Sequence, residues 1–284
     1  MGDTGPRGEP ASPQKAGPVD AEPPGRPAEP DVASQIIPKL FSDDMTERGR
    51  ALDALARCGD RAAVLLVETL LRTPPQSGRY PVLAEALERI GKPVVPLLIA
   101  GLEALEVPRR ADEVYLLEAV AEVLGQLADR RAVPALTRML SQLNAATRRP
   151  RDEFVASLCA AAKIRVHRAL ADLGSRDGAD DLLEMIGDGR KRMRDELVEL
   201  AARIGDRRFL PGLLRAHERA LPVSEWIARH TRWAIREIAR RERVERGDPV
   251  FSKLDAACQA LLDKVLKKPK PNGGGAAKPN GKDR

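Results

Sequence analysis

Five stretches of this sequence end alike, and that recurrence restricts the fold more than any other feature. ALARCGDR at 54–61, ALERIGKP at 86–93, VLGQLADR at 123–130, ALADLGSR at 169–176 and LAARIGDR at 200–207 each run an Ala- and Leu-rich segment into a tight turn. With Gly59, Gly91, Ala128, Gly174 and Gly205 taken as equivalent, the residues one, four, five and eight places earlier are apolar or Cys in every copy. In the first copy they are Cys58, Leu55, Ala54 and Ala51; in the last they are Ile204, Ala201, Leu200 and Leu197. Such spacing marks one face of an α-helix. Glycine at four of the turns suits a left-handed backbone at a helix C-terminus, and Asp60, Asp129, Ser175 or Asp206 stands where it can cap the next helix.

A second helix is predicted after each turn: AAVLLVETLL, PVVPLLIAGL, RAVPALTRML, GADDLLEMIG and RFLPGLLRAH. Pro96, Pro134 and Pro211 occupy matching places near the starts of three of them, where a proline removes few backbone hydrogen bonds. The turns recur at intervals of 32, 37, 46 and 31 residues, so extra sequence at 141–154 predicts a longer linker or a lengthened helix. DVASQIIPKLFS at 31–42 and a helix within 249–266 would cover the apolar ends of the stack.

An Ala/Leu-rich helix followed by G-D-R-x-A-V-P-x-L and a second apolar helix resembles the HEAT repeat, in particular its short bacterial form, the phycobilisome-lyase HEAT-like repeat. The best copies span Asp129 to Leu140 and Gly205 to Leu214. The resemblance implies an all-α, right-handed α-solenoid of about five to six antiparallel helix pairs over 31–266, whose surface serves another macromolecule. Residues 1–30, broken by eight prolines, are expected to be a disordered arm, and 267–284, rich in Lys, Gly and Pro, a disordered tail.

Composition narrows the function. No apolar run approaches the roughly 20 residues of a spanning helix, and aromatics at 3% are too few for a base-stacking platform. Cys58, Cys159 and Cys258 are too dispersed for a metal site or a disulfide framework, and the N-terminus lacks a secretion signal, so a cytoplasmic protein is expected. The net charge of +6 is unevenly placed: residues 1–185 carry 24 basic and 28 acidic side chains, and 186–284 carry 24 and 14.

Enzymatic chemistry finds little support in the residues. Deoxyhypusine hydroxylases, which resemble this architecture, need several His-Glu dipeptides for two irons; this chain has one, His217-Glu218, expected to be an exposed polar pair at a helix end. His167 and His230 are lone residues without an acid–base partner at recognisable spacing. HEAT-like DNA glycosylases use Trp residues and a carboxylate. Trp226 and Trp233 lie seven apart on one helix flank, but no Asp stands beside them in sequence, and packing against the neighbouring repeat is their expected role. No cofactor or metal is expected, and pigment-lyase chemistry has no recognisable motif here.

One constellation suits binding. In a helix predicted over 222–243, Arg229, Arg232, Arg236, Arg240 and Arg243 recur at intervals of 3, 4, 4 and 3, opposite Ile227, Ala234, Ile235 and Ile238. Read as solvation, this is a polar helix face; read as function, it is a docking stripe for anionic groups, which Arg190, Lys191, Arg192 and Arg194 would extend. The expected activity is that of a non-enzymatic protein-binding scaffold or adaptor with an acidic partner. The alternative is a nucleic-acid-binding solenoid using the basic C-terminal third.

Overall fold

A computed structural model describes residues 32–74, 77–148, 153–187 and 194–266. The arm at 1–30, the tail at 267–284 and the basic residues Arg190, Lys191 and Arg192 lie outside the described residues. A short helix, α1 (Val32–Ile36), continues into a 3₁₀ turn ending at Phe41. Six helix pairs follow: α2 (Met45–Cys58) with α3 (Asp60–Arg72), α4 (Tyr80–Ile90) with α5 (Val95–Ala104), and α6 (Ala111–Gln126) with α7 (Val133–Arg148). The later three are α8 (Glu153–Asp172) with α9 (Ala179–Gly187), α10 (Asp195–Ile204) with α11 (Leu210–Ala220), and α12 (Glu225–Arg241) with α13 (Ala256–Leu266). No strand occurs among the described residues. The extra sequence near 141–154 is spent on long helices, since α7 and α8 run 16 and 20 residues.

The pairs stack as two layers. First helices α2, α4, α6, α8, α10 and α12 succeed one another in one layer. In the other, α3 packs on α5, α5 on α7, α9 on α11 and α11 on α13. Second helices also lie against the first helix of the following unit, most closely α7 on α8 and α11 on α12. The apolar face of each helix is thereby removed from water on two sides, which fixes the order of the stack.

The turns show how local chemistry sets this geometry. Gly59, Gly91 and Gly174 have φ of 56°, 84° and 67°, and Ala128 also has a positive φ, at 52°. Gly205 differs, with φ −62°. Its glycine serves a close approach: a Cβ there would collide with the Ala201 carbonyl oxygen and stand 3.0 Å from Phe209 Cγ. Asp129 Oδ1 accepts from the Arg131 backbone N–H at 3.0 Å, and Asp206 Oδ1 from Arg208 N–H at 2.9 Å. Each aspartate also receives the guanidinium of the same arginine, and the Arg131 hydrogen bonds hold the Asp129 carboxyl down to about 2. Asp60 does not cap, because α3 begins one residue earlier than a cap would require and Asp60 is itself the first helical residue. Pro96, Pro134 and Pro211 are each the second residue of α5, α7 and α11, directly after a 3₁₀ turn.

The core divides at α8. Cys159, Ala162, Val166, Ala169 and Leu170 join the cluster running back to Ala33, whereas Ile164 and Ala171 belong to a second cluster running on to Val265. On the first side α6 and α8 meet closely because Gly125 has no side chain; a Cβ there would lie 3.0 Å from Ala169 Cα. On the second side a polar group occupies the seam. Lys163 Nζ and His167 Nε2, both on buried positions of α8, each donate at 2.7 Å to one oxygen of Asp181 on α9. Burial opposes the charge on Asp181, but the hydrogen bonds from His167 and Lys163 outweigh it and hold the carboxyl below its ordinary value.

Candidate functional site

Helix α12 is built to show one face. Ser224 caps it, its Oγ accepting from Ile227 N–H at 3.3 Å, and Ala228, Thr231, Ala234, Ile235, Ile238 and Ala239 are buried against α10 and α11. The opposite face carries Trp226, Arg229, Trp233, Arg236 and Arg240, all exposed, at successive intervals of 3, 4, 3 and 4. At about 100° per residue these positions form one ridge. Arg229 pairs with Glu225 at 3.2 Å and Arg240 with Glu237 at 2.9 Å.

The five arginines of the expected stripe therefore separate. Arg229, Arg236 and Arg240 share the ridge. Arg232 is half-buried on its flank, close enough to α11 for its charge to help lower the His217 pKa. Arg243 lies beyond the helix end, exposed in a turn with φ 52°. Arg194, at the start of α10, pairs with Glu196 at 3.3 Å.

The tryptophans depart from expectation. Trp226 and Trp233 remain 47% and 44% exposed rather than packed away in the stack. They form one wall of a groove of about 510 Å³, and Asp195, Glu196 and Glu199 of α10 form the other. His230 lies beside Trp226 with ring centroids 3.7 Å apart and donates from Nδ1 to the Trp226 backbone carbonyl at 2.9 Å, which holds the imidazole against the indole. Sequence proximity showed only Glu225 and Glu237 near these rings; the facing carboxylates arrive from about thirty residues earlier through the α10–α12 packing.

The other candidate residues lie away from the ridge. His217 is wholly buried, not an exposed helix-end residue. Its Nδ1 lies 2.8 Å from the Ala228 carbonyl and 3.1 Å from Thr231 Oγ1; a carbonyl can only accept, so Nδ1 carries the hydrogen. Burial pushes its pKa down, and Arg232 adds to that. His167, expected to be alone, has Asp181 as its partner fourteen residues on. Glu218, Asp255 and Cys258 bring ligand atoms within 4.8 Å of one another where α11 meets α13. There burial, followed by the charges of Glu218 and Asp255, pushes the Cys258 thiol up to about 11. The thiol stays protonated near neutrality, where it is a weak nucleophile.

Comparison with known proteins agrees with this geometry. The PBS lyase HEAT-like repeat family matches residues 116–142, which comprise most of α6, its turn through Asp129 and the first part of α7. No curated protein sequence matches the chain. None of the described helices is long and apolar enough to cross a membrane. With one unit matched by that family and the same pairing of helices repeated on both sides of it, the chain is a HEAT-like repeat protein.

Proposed function

We propose that this chain is a non-enzymatic docking protein whose α12 ridge receives another protein. The observation that carries the reading is the alternation of half-exposed Trp226 and Trp233 with Arg229, Arg236 and Arg240. Trp and Arg are the residues that dominate binding energy at protein interfaces, and large exposed rings on an aromatic-poor chain gain from being covered. Removing roughly 100 Å² of each ring from water is worth about 2–3 kcal/mol per tryptophan.

The carboxylates around the ridge favour a protein over a polyanion. Asp195, Glu196, Glu199, Glu225 and Glu237 surround the rings and arginines, so a phosphate backbone would meet repulsion beside each attractive site. A protein partner can place charge of either sign to match. The partner surface expected here is acidic opposite Arg236 and Arg240, with an apolar patch for the rings. Cys58, Cys159 and Cys258 are free thiols, in keeping with a reducing, cytoplasmic setting.

The test is affinity capture with the full chain, comparing the native protein with Trp226→Ala/Trp233→Ala and with Arg229→Ala/Arg236→Ala/Arg240→Ala. A defined partner recovered by the native chain and lost with both variants supports the ridge. Equal recovery by all three forms would overturn it. Binding of duplex DNA or RNA that weakens steeply with salt, and whose salt slope flattens in the arginine variant, would establish the nucleic-acid alternative instead.

A further inference from the structure

The groove beside the ridge has chemistry that the ridge itself lacks. One wall is aromatic: the Trp226 and Trp233 rings, one of them braced by His230. The other wall is a row of carboxylates at 195, 196 and 199, spaced so that all three stand on one side of α10. Two of the three are neutralised locally, Glu196 by Arg194 at 3.3 Å and Glu199 by Arg168 at 2.9 Å. Asp195 makes no ion pair among the described residues and is exposed at the groove edge. Arg229, the cation that also borders the space, is occupied by Glu225 at 3.2 Å.

An indole face carries negative potential from its π-system and attracts a cation set over it, while a carboxylate across the gap attracts the same cation from the other side. A neutral apolar group would satisfy the rings but leave Asp195 facing it. An anion would be repelled by Asp195. The geometry points to a receptor for one alkylammonium group, as presented by a lysine side chain of the protein partner, seated between the two indoles and Asp195. The identity of the partner as a protein rests on the docking function proposed above; the charge and shape of the group that enters do not.

The chain has only two tryptophans, and both line this groove, so intrinsic tryptophan fluorescence reports on it alone. Full-length protein is titrated at constant ionic strength with Nα-acetyl-lysine amide, with its Nε-trimethylated form, and with Nα-acetyl-norleucine amide, which keeps the arm and lacks the charge. Both lysine probes are expected to give a saturable change with a dissociation constant on the order of 1 mM. Asp195→Asn should weaken them at least about fivefold, and Trp233→Phe, which keeps an aromatic face, should weaken them less than Trp233→Ala. Norleucine amide binding as tightly as the lysine probes, affinity unchanged in Asp195→Asn, or no saturable signal would each overturn the proposal. Binding confined to an Arg190→Ala/Lys191→Ala/Arg192→Ala variant would also overturn it, since the chain's own cations would then be the groove's occupant. The titration needs no partner, so its failure and a failed affinity capture are read separately.

Discussion

His167 Nε2 and Lys163 Nζ, one turn apart on α8, share the Asp181 carboxylate on α9, each at 2.7 Å. Because Lys163 and Asp181 are nearly removed from water, neither charge can be deleted alone without leaving the other uncompensated. Asp181→Asn is expected to lower unfolding stability by about 3 kcal/mol, measured by urea denaturation. The double variant Lys163→Met/Asp181→Leu should cost less than Asp181→Asn, because it removes both charges together. A double variant at least as damaging as the single one would show that the seam depends on its ions.

The same carboxylate gives an acid limit with a definite sign. Its pKa in the folded chain lies below its ordinary value, so the unfolded chain binds the proton more readily. The stabilisation is complete above the ordinary carboxylate range and is lost as pH falls through the folded value. His217 acts earlier on the same descent. Burial lowers its pKa from 6.5, so its neutral form stabilises the fold above about pH 6.5 and protonation of the unfolded chain erodes that contribution below it. Thermal midpoints between pH 7.5 and 5 should therefore decline, with a shallower slope in His217→Asn. An unchanged slope in that variant would assign the decline to other groups.

Two helix glycines should respond to alanine with opposite signs. Gly49 in α2 has open space where a Cβ would go, so Gly49→Ala should stabilise by about 0.5–1 kcal/mol through helix propensity. Gly125 in α6 has the Ala169 backbone at 3.0 Å and Asp172 Oδ2 at 3.2 Å from that position. There α6 and α8 must move apart, and Gly125→Ala should destabilise by about 1–2 kcal/mol despite its better propensity. Thermal denaturation of the two single variants decides the point; shifts of the same sign would mean that the helix contact gives way easily.

How much of this was legible in the sequence follows from how local each cause is. Helix faces and turns were readable because the residues that decide them, such as Leu55, Ala54 and Gly59, lie within two turns of one another. Prolines 96, 134 and 211 told correctly of helix starts for the same reason. The place of Gly205 in its repeat suggests a left-handed turn, but its need for a missing side chain comes from Ala201 and Phe209 in the folded backbone. His217 read as exposed because nothing near it in sequence shows that α12 will cover it with the Ala228 carbonyl. The groove was hidden because three of its seven lining residues, Asp195, Glu196 and Glu199, belong to a different unit from its tryptophans. Arg232 and Arg243 fitted a regular row on a helical wheel, yet flank burial and the helix end at Arg241 take them off the ridge.

Ala128 holds a positive φ where Gly59, Gly91 and Gly174 have glycine, and Arg243, two residues past the end of α12, has the same φ of 52°. Ala128→Gly and Arg243→Gly should each raise stability, by about 1 kcal/mol, since a side chain at positive φ costs roughly that much. Melting curves of the two variants test this; a loss of stability at Ala128 would mean that its methyl group contributes packing exceeding the backbone cost.

The shared carboxylate of Asp181 also bears on how such a chain can lengthen. Units bounded by apolar faces can be duplicated or deleted with little penalty, since any such face accepts any other. Lys163 and His167 meet Asp181 inside the single unit α8–α9, so that unit carries its own charge balance and can be copied or lost whole, whereas a break between its two helices would take both cations from the carboxylate. The ions thereby set where the array cannot be cut, within this pair, and leave the junctions on either side of it open to added or lost units.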